Sequence, residues 1–239
     1  MKDVTRDSLK AFHLTLEQPA RGPRYSLDPL LLAFFVAGFS PRRVMEMGSG
    51  VGVGGLVLSR RCPTLFHLEL VEIQHRLAEM ARSNVRENPT DGVRIQVRHE
   101  DARYVMSRLP LDIVMSNPPY RDFQTGRVSP AVDRAVARHW YLMKPLELLR
   151  SAGRLLAPDG KLCLVLPASH MHIWREMIET AGFKLQVTWP VQPSPEAAPS
   201  LFLVACGRES GCVERPPLIL RDKDGKYTPE AAEILGIIC

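Results

Sequence analysis

The sequence predicts an α/β protein: a doubly wound, mainly parallel seven-stranded sheet with a C-terminal antiparallel β pair. Three observations predict it. Short apolar runs alternate with segments of helical period through the middle of the chain, a glycine-rich turn follows the first of those runs, and the last two runs succeed one another with no helix between them. At 239 residues, 45% hydrophobic and 24% charged, the chain suits one domain over 1–239: an N-terminal extension to residue 43, a core over 44–208 and a tail over 209–239.

Taken in order, Val44 to Met47 is a short buried strand, and the glycine run after it opens a helix through about Arg60. Leu65 to Glu72 is the second strand. Ile73, Leu77, Met80 and Ala81 recur at helical spacing, and Val93 to His99 alternates β-branched with polar residues as a third strand. Leu111 to Ser116 is the fourth. Pro145 suits a first helical turn, so a helix is expected from there to about Leu156, then a turn at Pro158-Asp159-Gly160 and a fifth strand from Lys161 to Leu166. Ile173 to Ala181 reads as a helix closed by Gly182. Phe183 to Trp189 and Leu201 to Cys206 form the final pair. Asp28-Pro29 reads as a helix start, with the aspartate as cap.

Composition narrows the function. No apolar run is long enough to span a bilayer, and Met1 to Lys10 lacks a signal-peptide core, so a cytoplasmic protein is expected. Cys62, Cys163, Cys206, Cys212 and Cys239 form neither a CxxC pair nor a regular framework. His170 and His172 lack further ligands at metal spacing, so no metal site is expected. The formal charge of +5 is unevenly spread: residues 1–43 hold seven Lys/Arg against four Asp/Glu, and residues 121–154 hold seven against three. Such an excess suits a phosphate-binding rim and equally an ordinary solvated surface.

In doubly wound sheets, ligands bind beyond the carboxyl ends of the strands. Four of those ends are unusual here. Glu46-Met47-Gly48-Ser49-Gly50-Val51-Gly52 is an acid followed by three alternate glycines, a loop that can turn sharply and approach a ligand closely. Glu72 stands 20 residues after Gly52, where a carboxylate can accept both ribose hydroxyls of a nucleoside. Asp101, past the third strand, is placed to meet the adenine amino group of the same ligand. Asn117-Pro118-Pro119-Tyr120 ends the fourth strand. Each feature has a plainer reading: the glycines as a tight connection, the acids as helix caps, with Asp101 capping the segment from Ala102. Gly50, Gly52 and Gly55 also satisfy the dinucleotide pattern G-x-G-x-x-G, so an NAD-dependent oxidoreductase is an alternative, although no hydride transfer calls for the tetrapeptide.

The acid-led glycine loop followed by Asn-Pro-Pro-Tyr resembles the amino-methyltransferases of the class I, Rossmann-like fold. Within that group the chain is similar to bacterial tRNA adenine-N6 methyltransferases that modify valine tRNA beside the anticodon. The likeness takes in Tyr25-Ser26-Leu27-Asp28-Pro29-Leu30-Leu31, Ala137-Arg138-His139 and the tail Asp222-Lys223-Asp224-Gly225-Lys226-Tyr227-Thr228. Two positions depart from the pattern: Arg121 follows the tetrapeptide where an aromatic is common, and Trp140 follows His139 where an acid is expected. The resemblance implies S-adenosylmethionine as cofactor, held by Glu46, Gly48, Ser49, Gly50, Gly52, Glu72, Asp101 and Asn117, with residues 28–31 over it. It further implies a tRNA partner, and Arg121, Arg127, Arg134 and Arg138 of the basic stretch are the candidates to contact its phosphates.

The tetrapeptide answers a chemical need. An exocyclic amino nitrogen conjugated to its ring is a poor nucleophile, and two acceptors aimed at its N–H groups draw it toward a tetrahedral shape. Asn117 offers its side-chain oxygen and Pro118 its carbonyl, while Tyr120 can stack on a base taken out of its helix. The glutamine amide of a release factor poses the same problem, and ribosomal RNA carries the same adenine. Enzymes acting on release factors have a helical domain ahead of the core, whereas 43 residues precede the first expected strand here, which favours a nucleic acid.

Overall fold

A computed structural model describes residues 4–20, 26–118 and 145–237. The chain opens with a hairpin, β1 (Val4–Leu9) and β2 (Leu14–Pro19), paired antiparallel from Val4↔Pro19 to Leu9↔Leu14. Then follow α1 (Asp28–Ala37), β3 (Arg43–Met47), α2 (Val53–Arg61), β4 (His67–Glu72), α3 (His75–Glu87), β5 (Arg94–His99) and β6 (Leu111–Ser116). Beyond residue 144 come α4 (Pro145–Leu155), β7 (Leu156–Pro167), α5 (Met171–Thr180), β8 (Lys184–Gln192), β9 (Leu201–Gly207), β10 (Val213–Glu214), β11 (Leu218–Ile219) and α6 (Pro229–Leu235).

The large sheet runs β10-β8-β9-β7-β6-β3-β4-β5, with β11 also on β8. Its seven long strands are the seven read from the sequence. β9 alone runs against its neighbours, antiparallel to both β7 and β8. Parallel strands covered on both faces must be apolar throughout, and successive residues go to opposite layers. Val44, Leu68, Leu70, Ile113, Met115 and Val165 pack toward α1, α2 and the hairpin. Met45, Met47, Val71, Val114, Leu162 and Leu164 pack toward α4 and α5. By the same alternation Glu46 faces the α2 layer.

Four expectations are corrected. The extension before β3 contains a hairpin, whose signal was the period-two run Leu14-Thr15-Leu16-Glu17; Leu14 and Leu16 are buried and Thr15 is exposed. Asp28 is the first residue of α1, not its cap: the cap position is Leu27, and Ser26 Oγ accepts the Asp28 N–H at 3.3 Å. Ile73 precedes α3 instead of belonging to it. Pro158-Asp159-Gly160 makes no break between elements, because β7 begins at Leu156 and absorbs those residues as a bulge between the pairs Leu111↔Leu156 and Ile113↔Lys161. A Cβ on Gly160 would lie 2.8 Å from the Leu111 carbonyl oxygen, so the bulge needs glycine for space.

Candidate active site

The carboxyl ends of β6, β3, β4 and β5 lie side by side in that order. Three interstrand gaps of about 4.8 Å make an edge roughly 14 Å long. Along it stand Asn117, the glycine loop, Glu72 and Asp101, brought together from four separate stretches of sequence.

The loop is fastened to β4. Gly48 and Ser49 both donate their N–H to the Val71 carbonyl, at 2.9 and 3.0 Å. Glu72 spans the next gap: one carboxylate oxygen accepts Gly50 N–H at 2.9 Å, the other Gln74 N–H at 2.8 Å. Gly48 and Gly50 have φ of +72° and +57°, and a Cβ on either would meet nothing within 4 Å. Backbone conformation, not crowding, therefore demands glycine there. The open face of the loop is a cradle that suits a ligand. Ser49 Oγ is buried beside it with no hydrogen-bond partner among the described residues.

Glu46 works from below. It is buried, and its carboxylate accepts Gly55 N–H, in the first turn of α2, at 2.8 Å. A Cβ on Gly54 would lie 2.5 Å from its Oε1, and one on Gly55 would lie 2.4 Å from Leu70 Cδ2. The helix thus sits directly on the acid, and the third glycine of the dinucleotide-like pattern serves that packing. Burial pushes the Glu46 carboxyl up to about 8; the Gly55 bond opposes the rise and the charge of Glu72 adds to it.

Asp101 follows β5 as expected, but its carboxylate is engaged. Arg103 donates its backbone N–H to Oδ1 at 3.0 Å and its guanidinium to both oxygens at 2.6 to 3.1 Å. Burial pushes this carboxyl up, yet the Arg103 hydrogen bonds and charge outweigh that and hold it below its ordinary value. The plainer reading of Asp101 as a helix cap is corrected, since Ala102 to Tyr104 form a turn and no helix begins there; the carboxylate closes that turn through Arg103 N–H. Asn117 leaves the sheet half-buried, and Pro118 is buried. Ser116 Oγ donates to the Met47 carbonyl at 2.8 Å, which sets Asn117 beside the start of the glycine loop. Pro119, Tyr120, Arg121, Arg127, Arg134, Arg138, His139 and Trp140 lie outside the described residues.

Sequence reasoning missed Asn84, Arg103 and the role of Gly54. Asn84 is fully buried in α3 and donates to the Val51 carbonyl within the loop at 2.9 Å. A polar amide on the inner face of a helix was the available signal.

Residues 28–182 match the Methyltransferase small domain family. The chain is 33% identical to the tRNA1(Val) (adenine(37)-N6)-methyltransferase of Aeromonas hydrophila, over 92% of this chain and 91% of that protein. It is 30% identical to the protein of the same description from Tolumonas auensis, over 93% and 92%. Among solved structures, a predicted O-methyltransferase from Agrobacterium tumefaciens superimposes with a TM-score of 0.66 at 21% identity, covering 87% of this chain and 95% of that one.

Proposed function

The chain belongs to the methyltransferase small-domain family, and on that premise we propose that it methylates N6 of adenine 37 in a valine transfer RNA, using S-adenosylmethionine. The observation that carries this reading is the identity of 30 to 33% to the two tRNA methyltransferases over more than nine-tenths of either chain. S-adenosylmethionine supplies an electrophilic methyl on a sulfonium. The residues along the sheet edge suit such a nucleoside. Each oxygen of the Glu72 carboxylate has a lone pair beyond its backbone bond, so it can accept a ribose hydroxyl while still holding the loop. Asp101 can serve the adenine amino group by sharing its oxygens with Arg103. The Ser49 hydroxyl, unpartnered among the described residues, and the open positive-φ loop would hold the remainder of such a nucleoside.

Asn117 and Pro118 act on the acceptor nitrogen: the Asn117 side-chain oxygen takes one N–H and the Pro118 carbonyl the other, which directs the lone pair at the methyl donor. Pro119 and Tyr120 complete the slot, with Tyr120 stacked on the displaced base. Arg121, Arg127, Arg134 and Arg138 meet RNA phosphates. We read the whole chain as one methyltransferase domain, a reading supported by Arg61 of α2. Its guanidinium donates to the carbonyls of Glu233 and Ile234 at the end of α6 and lies 4.9 Å over the Phe12 ring. No helix among the described residues is long and apolar enough to cross a membrane. We place the enzyme with its RNA in the cytoplasm.

The test is to incubate the protein and labelled S-adenosylmethionine with separate tRNA, ribosomal RNA and release-factor pools, then identify the product by mass spectrometry. N6-methyladenosine in valine tRNA is the expected result. Label confined to glutamine, or to ribosomal RNA, would overturn it.

A further inference from the structure

The hairpin is seated on α3 in an unusual way. The groups of β2 that face away from β1 belong to Thr15 and Glu17, and two asparagine amides receive them. Asn88 Oδ1 accepts Thr15 N–H at 2.9 Å and its Nδ2 donates to Thr15 O at 2.8 Å; Asn84 does the same for Glu17 at 2.7 and 3.0 Å. Four residues of helix rise about 6 Å and two of strand about 6.7 Å, so amides one turn apart match alternate strand residues. The helix takes the place of a neighbouring strand.

The two amides differ in their remaining N–H. Asn88 returns it to its own helix, at Asn84 O, 2.7 Å away. Asn84 gives it to Val51 O at 2.9 Å, inside the glycine loop. Val51 lies between Gly50, whose N–H goes to Glu72, and Gly52, both at positive φ. Glycines on either side leave the Val51 peptide units free to swing, and a bond at that carbonyl removes the freedom before any ligand arrives. Ordering the loop in advance lowers the entropy lost on binding. Both N–H groups of Asn84 are committed, one to the hairpin and one to the loop, and its oxygen accepts from the hairpin.

We infer that Asn84 is a positioning residue for the cofactor, and that the hairpin of residues 4–19, which precedes the family match at residue 28, holds it in place. The inference rests on the reading of the glycine loop as the S-adenosylmethionine site. Asn88 supplies the control, since it anchors the same hairpin without touching the loop.

The full chain is measured for S-adenosylmethionine affinity by calorimetry, and for kcat and both KM values with tRNA. Asn84→Ala is expected to raise Kd and KM for S-adenosylmethionine about 10-fold, the scale of one buried hydrogen bond, with kcat at saturation and KM for tRNA unchanged. Asn88→Ala is expected to lower Tm comparably and leave cofactor affinity as in the wild type. A merely structural role would lower Tm and active fraction for both and separate neither KM. The same coupling is testable from the hairpin: Glu17→Pro deletes the N–H given to Asn84, whereas Glu17→Ala keeps it, and Thr15→Pro deletes only the N–H given to Asn88. Glu17→Pro alone of these three is expected to weaken binding, and that comparison decides the matter if Asn84→Ala does not fold. Wild-type affinity in Asn84→Ala, equal weakening in Asn84→Ala and Asn88→Ala, or equal affinity in the two Glu17 variants would each overturn the inference. Failure of the loop reading itself shows separately, as unchanged affinity in Glu72→Ala.

Discussion

Two adjacent regions of the central sheet are built by different means. In the region formed by β6, β3 and β4, buried strands carry Glu46, Glu69, Glu72 and Ser116, each tied by hydrogen bonds to a neighbouring element. In the other, β7 and β9 meet through Cys163, Leu164, Val165, Leu203, Val204, Ala205 and Cys206, all buried. Burial raises both thiols there, that of Cys206 to about 12, so they behave as small apolar side chains. The difference teaches where stability and chemistry separate. The apolar region is a scaffold whose defects should cost folding free energy alone, while the polar region holds a loop in a shape whose defects should appear in binding and rate.

The largest expected effect comes from the scaffold. Leu203→Ala, at a fully buried position of β9, should lose about 2–5 kcal/mol of stability by denaturant titration. Cofactor affinity of the folded protein should not change; a large loss of affinity would erase the contrast between the two regions. Next is Asn117→Ala, for which single-turnover rates at saturating tRNA should fall ~10²–10³-fold while S-adenosylmethionine affinity falls little. A preserved rate would remove Asn117 from the chemistry. Glu72→Ala should weaken cofactor binding by ~1–3 kcal/mol in calorimetry, because charge-assisted acceptors are lost together with the anchor of Gly50.

The smallest effect concerns pH. The folded-state carboxyl of Glu46 titrates near 8, against 4.5 ordinarily, so the folded protein keeps a proton that the unfolded chain gives up. Its contribution is full below the lower value and is lost as pH rises toward the upper one. Glu46→Gln cannot titrate, so between about pH 6.5 and 8 the wild type should lose ~1–2 kcal/mol more stability than the variant. Parallel pH profiles would place the titration elsewhere.

Much of this was legible in the sequence, and the reasons are local. The strands of the sheet showed because burial on both faces requires apolar runs, and the loop showed because positive φ at Gly48 and Gly50 requires glycine. Glu72 and Asp101 stood out through their places at the end of a strand and just past one. The hairpin was missed although Leu14-Thr15-Leu16 carries its alternation, since six-residue strands leave a short pattern. Strands β10 and β11, two residues each, leave none.

By itself, then, the sequence determined the order of strands and helices from β3 to β9, the positions of the four functional strand ends, and the residue types that can stand there. Those follow from period, backbone conformation and burial, which act within a few neighbouring residues. Only the tertiary structure decided what each group meets: Glu46 under the first turn of α2, Asp101 against Arg103, and Asn84 between a hairpin 67 residues away and the glycine loop 33 residues away. A hydrogen bond from a side chain to a distant backbone carbonyl asks nothing of the partner's side chain, so it writes no pattern at the far end, and folding alone brings the two together.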